Sequence, residues 1–348
     1  MRAVVLQGKN EVSVEDVPDP ELPGPDGAIV KVDRTAICGS DLHLYHGQIG
    51  AQGVRLGHEF VGTIEEAGSA VSRHRVGDRV LVSGVIGCGK CPPCRLGDPV
   101  VCTGGMPGKV FGTGPDLHGG QAEAVAVPGA DLWALPIPED VTTEQAVLLT
   151  DILPTGYLGA QRADISPGDT VVVIGLGPVG VFALQCAQLF GPARVLAVDT
   201  IPDRLARAAE LGAEPIDASQ GGTVPQVLAA TGGLGADAVI EAVGADASIT
   251  DALFACRAGG TVSVVGVNLN FQFPFPVPLA LMRRLTFRVT LASIPSTWSA
   301  LVPLIQSGRL HPEDVFTHRL GLSQAADAYR TFDQKLDGVL KVLLDPSS

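Results

Sequence analysis

Short runs rich in apolar residues occur along roughly the first 130 positions of the chain. Gly, Pro and Asp interrupt these runs, which is typical of β-strands joined by turns. The predicted strands include Ala28–Val32, Phe60–Glu65, Arg79–Val82 and Glu123–Val127. Helical periodicity is scarce, and a helix is predicted at Thr142–Leu149, with Thr142 available as its N-cap. The amino-terminal part is therefore predicted to be rich in β-structure.

After Asp164 the pattern changes to apolar runs that alternate with segments of helical period. The predicted strands are Thr170–Ile174, Arg194–Val198, Ala236–Glu241 and Thr261–Val267. The predicted helices are Val179–Phe190, Asp203–Leu211 and Ala245–Arg257. Because strands that alternate with helices form parallel sheets, this part is predicted to be a doubly wound sheet of the α/β class.

The carboxy-terminal pattern is more mixed. A Pro- and Phe-rich connector is predicted at Phe271–Pro278 and a last strand of the parallel sheet at Leu285–Leu291. Two helices, Trp298–Ser307 and Ser323–Phe332, and a short strand, Val339–Leu344, are predicted beyond it. A chain of 348 residues is longer than one core usually holds, so two domains are expected.

Composition narrows the possible partners. The formal net charge is −13 and no cluster of Lys and Arg is present, so nucleic acid is not an expected partner. The longest nearly apolar stretch, Val171–Leu184, contains three glycines and is too short to span a bilayer. The first residues show no signal-peptide cleavage pattern, so a cytoplasmic protein without membrane partners is expected.

A glycine-rich run predicts a dinucleotide site. Gly175-Leu176-Gly177-Pro178-Val179-Gly180 fits G-x-G-x-x-G, follows an apolar strand directly and opens a predicted helix. Gly175 permits the tight turn, Gly177 lets the backbone approach the pyrophosphate, and Gly180 lets helix and strand pack closely. Asp199 ends the next strand, where a carboxylate would accept hydrogen bonds from the ribose hydroxyls. The same carboxylate would repel the 2′-phosphate of NADP, so NAD is the expected cofactor.

Four cysteines lie close together in a loop rich in Gly and Pro, namely Cys88, Cys91, Cys94 and Cys102. In a large chain without an export signal, this density predicts a metal site before a disulfide framework. Four thiolates form the closed tetrahedron of a structural zinc site. An iron–sulfur cluster is the alternative, because thiolates hold those clusters as well.

Further motifs connect these features to a known family. Cys38-Gly39-Ser40-Asp41-Leu42-His43 and Gly57-His58-Glu59 precede the cysteine loop and the glycine-rich run. This ordered set resembles the zinc-containing medium-chain alcohol dehydrogenases over essentially the whole chain. The resemblance implies a GroES-like β-barrel catalytic domain at 1–151, a Rossmann cofactor domain at 152–290 and a return to the catalytic domain at 291–348. The active site would then lie in a cleft between domains.

The resemblance also implies roles at the metal site. Cys38, His58 and Asp151 match the ligands of a catalytic zinc, and Glu59 matches a glutamate that ligates the zinc or stands just behind it. Asp41 matches the carboxylate that orients the zinc-bound histidine, an expected partner on physical grounds. The proton relay of the family matches Ser40 and His43. With the cysteine loop, two zinc ions per chain are expected.

Positions that contact the nicotinamide cofactor can be carried over in the same way. The matching residues are Thr155, Arg204, Ala242, Val243, Gly244, Val265, Gly266 and Val267. One departure from the family is Gly39, which stands where some members carry a cation near the pyrophosphate. That contact must be absent or replaced.

The function implied by the resemblance is hydride transfer between NAD and a small alcohol or carbonyl compound. The run Asp151–Tyr157 resembles the formaldehyde-dehydrogenase-like branch, whereas polyol and threonine dehydrogenases share the other motifs. A zinc-free quinone reductase is disfavoured by the metal ligands, and a non-catalytic structural or sensor protein by the intact relay. Family members of this length are commonly tetramers or dimers, so a homo-oligomer is expected, with the tetramer favoured.

Overall fold

The computed structural model describes residues 1–50, 52–104 and 108–348. Within these residues the backbone divides into two units. The first unit comprises Met1–Pro154 and Ser293–Ser348, and the second comprises Thr155–Ala292. No helix in the described ranges is long and apolar enough to cross a membrane.

The first unit is rich in strands, and in the second unit strands alternate with helices. The strands are β1 (Arg2–Gly8), β2 (Glu11–Asp16), β3 (Ala28–Ile37), β4 (Glu59–Ala67), β5 (Arg79–Val82), β6 (Val85–Ile86), β7 (Lys109–Val110), β8 (Ala124–Val127), β9 (Ala134–Pro136), β10 (Thr170–Ile174), β11 (Arg194–Asp199), β12 (Glu214–Asp217), β13 (Ala236–Glu241), β14 (Cys256–Val264), β15 (Thr286–Val289), β16 (Phe316–Gly321) and β17 (Lys341–Asp345). The helices are α1 (Asp41–Tyr45), α2 (Pro92–Arg95), α3 (Ala130–Trp133), α4 (Thr143–Leu148), α5 (Ile152–Arg162), α6 (Pro178–Gln188), α7 (Pro202–Glu210), α8 (Thr223–Ala230), α9 (Asp246–Ala255), α10 (Val277–Arg283), α11 (Trp298–Gln306) and α12 (Ala325–Gln334).

The first unit is built around a mixed sheet in the order β16-β17-β3-β4-β5-β9, with β8 also paired to β3. In the register of β3 and β4, Ala36 faces Glu59, and in that of β3 and β17, Ile37 faces Val342. The end of β3 therefore brings together the residue after it, Cys38, with the start of β4 and the start of β17. Three distant parts of the sequence meet at this point.

The second unit contains a parallel sheet in the order β12-β11-β10-β13-β14-β15. Numbered within the unit, this order is 3-2-1-4-5-6, which is the Rossmann arrangement. Ile174 faces Val198 on one side and Glu241 on the other, so the carboxyl ends of the central strands lie at one edge. Ligands of such sheets bind at this edge, where the strand order reverses. The predicted α/β class and the doubly wound parallel sheet of the Rossmann type are confirmed.

The helices and strands differ from the sequence predictions at several points. Helix α5 was not predicted, because Pro154, Gly156 and Gly159 lower helix propensity and hide its periodicity. The connector predicted at Phe271–Pro278 gives way to α10 from Val277, since proline is well tolerated in a first helical turn. The helix predicted to Arg257 ends at Ala255, and β14 spans Cys256–Val264 rather than Thr261–Val267. The predicted N-cap Thr142 is confirmed: its hydroxyl accepts from the Gln145 N–H.

Candidate active site

Four side chains with metal-binding atoms converge at the end of β3. Cys38 follows β3, His58 and Glu59 stand at the start of β4, and Asp151 lies in the turn between α4 and α5. One ligand atom from each lies within 4.8 Å of the others. The Nε2 atom of His58 is 3.3 Å from Oδ2 of Asp151, and Sγ of Cys38 is 3.4 Å from the same oxygen. The fold thus brings together all four residues predicted for a catalytic zinc.

The charge of this cluster fits a divalent cation. Burial, followed by the neighbouring Glu59 and Asp151 carboxylates, raises the pKa of Cys38 to about 11. Without a cation, the Cys38 side chain would therefore be a neutral thiol at pH 7. A bound dication would compensate the two carboxylates and favour the thiolate. Thiolate sulfur, imidazole nitrogen and carboxylate oxygen are also the donor types that zinc uses, so the residues present fit this metal.

Asp41 lies behind the imidazole, as the resemblance implies. Its Oδ1 atom is 3.3 Å from Nδ1 of His58, which is an ion-pair distance rather than a tight hydrogen bond. Both side chains are buried. A proton on Nδ1 would face this carboxylate, and the lone pair of Nε2 would then point toward Cys38 and Asp151. This is the tautomer that a metal ligand needs.

The two residues of the predicted relay have different surroundings. The Ser40 hydroxyl is 3.2 Å from Sγ of Cys38 and 3.2 Å from Nε2 of His58, so it lies directly at the metal-binding cluster. The ring of His43 instead uses Nδ1 to donate a hydrogen bond to Oε1 of Gln48. That bond leaves the lone pair on Nε2, where it can act as a base.

The structure adds a charged residue that the sequence analysis did not identify. Nζ of Lys341 lies 2.7 Å from Oε1 of Glu59, and neither side chain is exposed to solvent. Burial opposes the charge on Lys341, but the Glu59 carboxylate raises its pKa above the ordinary value. The second oxygen of Glu59, Oε2, is buried and makes no hydrogen bond within the described part of the chain. A lysine inside the otherwise apolar run Val339–Leu344 was the available signal.

The four cysteines of the predicted structural zinc site also converge. Their sulfur atoms lie within 4.8 Å of one another, and all seven cysteines of the chain are free of disulfides. Backbone N–H groups of Lys90 and Cys91 donate to the Cys88 sulfur, and those of Cys88 and Gly104 donate to the Cys102 sulfur. Such bonds favour thiolates, so the loop fits a cation with four sulfur ligands.

The glycine-rich run has the close approaches that its mechanism requires. Gly175 has φ of +88°, and an added Cβ at Gly180 would lie 1.7 Å from the Gly175 carbonyl oxygen. An added Cβ at Gly177 would meet only Nη1 of Arg204, at 3.8 Å. Gly177 is the N-cap of α6, which begins at Pro178, and the preceding Leu176 is buried. The open space at Gly177 and the N-terminus of α6 are suited to a pyrophosphate.

Asp199 and Arg204 lie beside this run. The Asp199 carboxylate accepts hydrogen bonds from the N–H groups of Leu176, Thr200 and Ile201, at 2.7, 2.7 and 3.0 Å. Its Oδ2 atom is also 3.7 Å from Nη1 of Arg204. The backbone bonds hold the carboxylate at the end of β11, where an adenosine ribose is expected.

The remaining predicted cofactor residues follow neighbouring strands. Ala242, Val243 and Gly244 come after β13, and Val265, Gly266 and Val267 come after β14. The two loops touch, since an added Cβ at Gly266 would lie 2.1 Å from the Gly244 nitrogen. Glu241, which the sequence analysis missed, accepts from the N–H groups of Val243 and Gly244 and fixes the first loop. Thr155 is partly buried in the first turn of α5.

Comparison with known proteins assigns the chain to a family. Residues 24–139 match the alcohol dehydrogenase GroES-like domain, and residues 178–307 match the zinc-binding dehydrogenase family. A "probable zinc-binding alcohol dehydrogenase" of Mycobacterium tuberculosis is 52% identical over 349 residues, covering 100% of this chain and 89% of the relative. This chain belongs to the zinc-binding alcohol dehydrogenase family. It is an enzyme, a zinc-dependent oxidoreductase.

Solved structures of dehydrogenases match this chain over nearly its whole length. An alcohol dehydrogenase from Thermus sp. ATN1 superimposes with a TM-score of 0.92 at 44% identity, covering 99% of both chains. A dehydrogenase from Sinorhizobium meliloti, solved with NADP bound, has a TM-score of 0.86 at 30% identity, again over 99% of both chains. The family therefore includes proteins that take the phosphorylated cofactor, and the choice must be argued from this chain's own residues.

Proposed function

We propose that this zinc-binding alcohol dehydrogenase interconverts a small alcohol and its carbonyl product, with zinc held by Cys38, His58 and Asp151. The observation that supports this most directly is the convergence of thiol, imidazole and carboxylate atoms within 4.8 Å. Glu59 adds a fourth donor whose Oε2 atom has no other hydrogen-bond partner in the described ranges. When bound, zinc supplies Lewis-acid polarisation of the substrate oxygen, and the nicotinamide supplies the hydride acceptor.

The protein's own residues would handle the proton. The Ser40 hydroxyl, 3.2 Å from two of the ligand side chains, is placed to accept the proton of an alcohol bound at the cluster. His43, with its Nδ1 proton donated to Gln48, keeps a basic Nε2 that can pass the proton on to solvent. Asp41 holds His58 in the tautomer that ligates metal. The direction of the reaction follows the concentrations of alcohol and carbonyl compound.

An assay of purified protein tests this proposal. A panel of alcohols is incubated with oxidised nicotinamide cofactor, and reduced cofactor is followed by its absorbance. We expect turnover that is lost when a chelator removes the metal and that returns when zinc is added. Turnover that persists unchanged in zinc-free protein would contradict the proposal.

For the cofactor we propose NAD. Asp199 is held at the ribose-binding position by three backbone N–H groups, so its negative charge is fixed there. Two like unit charges about 4 Å apart cost roughly 4 kcal/mol at an effective dielectric near 20, and screening reduces this value. The Arg204 guanidinium 3.7 Å away also reduces it. We therefore expect kcat/KM to favour NAD by about 10²- to 10³-fold, or about 2.7–4 kcal/mol.

Comparing kcat/KM for NAD and NADP on one alcohol tests this preference. The variant Asp199→Gly should narrow the difference, mainly because it weakens NAD binding and relieves the repulsion of NADP. Equal values for the two cofactors in the parent enzyme, or a preference for NADP, would show that Asp199 does not face the ribose.

For the substrate we propose a small alcohol of the kind used by the formaldehyde-dehydrogenase-like branch. The support is the run Asp151–Tyr157, in which an aspartate provides the third metal ligand. Polyol and threonine dehydrogenases remain the alternatives within the family. The alcohol panel separates them by which compound gives the highest kcat/KM.

We further propose a second, structural zinc ion at Cys88, Cys91, Cys94 and Cys102, and hence two zinc ions per chain. The support is the clustering of the four sulfur atoms and the N–H groups that donate to two of them. Four thiolates leave no position for a substrate, which separates this site from the first.

A homo-oligomer, with the tetramer favoured over the dimer, is also proposed. Strand β15 lies at the end of its sheet, and the stretch 271–291 that contains it carries several exposed large apolar side chains. These are Phe271, Val277, Leu281, Met282, Val289 and Leu291. An exposed apolar strand edge is a surface that proteins normally cover. Light scattering that shows a monomer at working concentration would contradict this proposal.

We also propose a cytoplasmic location and three functional segments. A cytoplasmic protein agrees with seven free cysteines, which suit a reducing compartment. The proposed functional segments are 1–151 for catalysis, 152–290 for cofactor binding and 291–348 as the return to the catalytic part. They are supported by the two structural units, whose limits fall at Pro154 and Ser293.

A further inference from the structure

A chain of buried polar side chains leads from His58 to the carboxy-terminal helix α12. Oδ2 of Asp41 accepts hydrogen bonds from the Cys38 N–H at 3.0 Å and from Nε2 of Gln121 at 3.2 Å. The hydroxyl of Tyr329 donates to Oε1 of Gln121 at 2.8 Å. Asp41, Gln121 and Tyr329 are each fully buried. These three side chains are therefore isolated from water, where a hydrogen bond is costly to leave unmade.

The partners of Gln121 fix the orientation of its amide. Its Nε2 atom donates both to Oδ2 of Asp41 and to the carbonyl oxygen of Ala36, each at 3.2 Å. Both partners can only accept, so the NH₂ end must face them, and the oxygen must face Tyr329. The Tyr329 hydroxyl then has to donate. This arrangement pairs the Gln121 amide, the Tyr329 hydroxyl and Oδ2 of Asp41, whereas a rotated amide would place its oxygen against Oδ2 of Asp41 and the Ala36 carbonyl oxygen.

We propose that Gln121 and Tyr329 are positioning residues for the zinc ligand His58. Gln121 holds the Asp41 carboxylate against Nδ1 of His58, and Tyr329 holds the Gln121 amide in the only orientation that can do so. This inference rests on the proposed function of His58 as a ligand. It extends the support of the metal site to α12, which carries Tyr329, 208 residues after Gln121 in the sequence.

Loss of the Gln121 amide would affect Asp41 first and, through Asp41, His58. Without the Gln121 amide, Asp41 loses one of the donors that fix its rotation, and Nδ1 of His58 loses a fixed acceptor. Residues that orient a metal-binding histidine typically contribute about 10–100-fold to metal affinity. Gln121 acts one bond further out, so we expect the Gln121→Leu variant to bind zinc about 10-fold more weakly at this site. For Tyr329→Phe we expect about 3-fold.

Zinc affinity measured by competition with a chelator, without substrate or cofactor, tests the proposal on the full-length protein. The four-cysteine site serves as an internal reference that should keep its zinc in every variant. Tyr45→Phe is the matched control, because the Tyr45 ring packs on Tyr329 with centroids 5.5 Å apart but its hydroxyl lies outside the hydrogen-bonded chain. We expect parental zinc affinity for this control.

The double variant separates positioning from a merely structural role. In Gln121→Leu, the additional change Tyr329→Phe should lower zinc affinity by less than it does in the parent, because Tyr329 acts mainly through the amide. Thermal stability should behave differently: the double variant should recover part of the stability lost in Gln121→Leu, since it no longer leaves the Tyr329 hydroxyl unpaired. Additive losses of zinc affinity, or parental affinity in Gln121→Leu and Tyr329→Phe, would overturn the inference while leaving the proposed function standing. A parent that binds no zinc outside the cysteine loop would overturn both.

Discussion

Replacing Lys341 with methionine would leave the Glu59 carboxylate buried without its cationic partner. The two side chains are fully buried and 2.7 Å apart. Methionine has a similar volume and fills the same space, so the change removes charge with little change in packing. The perturbation therefore isolates the ion pair.

The size of the effect can be estimated from this geometry. At a separation of 2.7 Å and an effective dielectric of about 20, the attraction of the pair is roughly 6 kcal/mol before desolvation is counted. Removing one partner of a buried pair typically costs about 3–5 kcal/mol, because the remaining charge is uncompensated. We expect this loss in zinc-free protein. A smaller loss is expected in zinc-loaded protein, since the dication compensates the Glu59 carboxylate.

The assay uses the chain's own fluorescence. Both tryptophans, Trp133 and Trp298, are buried in the first unit, so urea unfolding followed by tryptophan emission reports on the unit that contains Lys341 and Glu59. The control is the double variant Lys341→Met with Glu59→Gln, which carries no buried charge at either position and should recover most of the loss. Parental stability of Lys341→Met in both metal states would refute the reasoning.

Three further predictions concern single positions. Cys94→Ser should lose one zinc ion and lower the unfolding temperature while folded molecules stay active, and a folded but inactive variant would contradict a structural role. Ser40→Ala should keep both zinc ions and slow turnover by about 10²–10⁴-fold, and full activity near neutral pH would exclude the proposed proton path. Burial opposes the charge on Asp237, but hydrogen bonds from Arg257 and Thr170 outweigh it and hold the Asp237 pKa below its ordinary value. A carboxylate with a lowered pKa stabilises the folded state at pH values above its ordinary pKa near 4. The parent should therefore be more stable than Asp237→Asn at neutral pH, and this difference should disappear in strong acid. A difference in melting temperature that does not change with pH would contradict this.

The features that sequence analysis identified depend on residues close together in the chain. The cysteine loop and the glycine-rich run each need only local spacing, and a carboxylate at the end of the following strand could be predicted from the strand pattern. Asp151 was carried over from the family resemblance. The helix that follows it stayed hidden, because Pro154 and Gly156 weaken the helical signal.

The features that sequence analysis missed depend on long-range pairing. The lysine in an otherwise apolar strand indicated that Lys341 was unusual. Only the pairing of β17 with β3, together with that of β3 with β4, brings it to Glu59, 282 residues earlier. The amide of Gln121 and the hydroxyl of Tyr329 follow no local pattern at all. Periodicity predicts that a residue is buried, but the partner of a buried polar group is decided by sheet order and register.

The metal content and activity of His58→Ala test the central claim most directly. The parent should contain two zinc ions per chain and oxidise an alcohol with reduction of the nicotinamide cofactor. His58→Ala should contain one zinc ion, retain cofactor binding measured by titration, and show no detectable turnover, because the imidazole lies in the Cys38 cluster and not in the four-cysteine cluster. A His58→Ala protein that keeps both zinc ions and parental turnover would contradict the account.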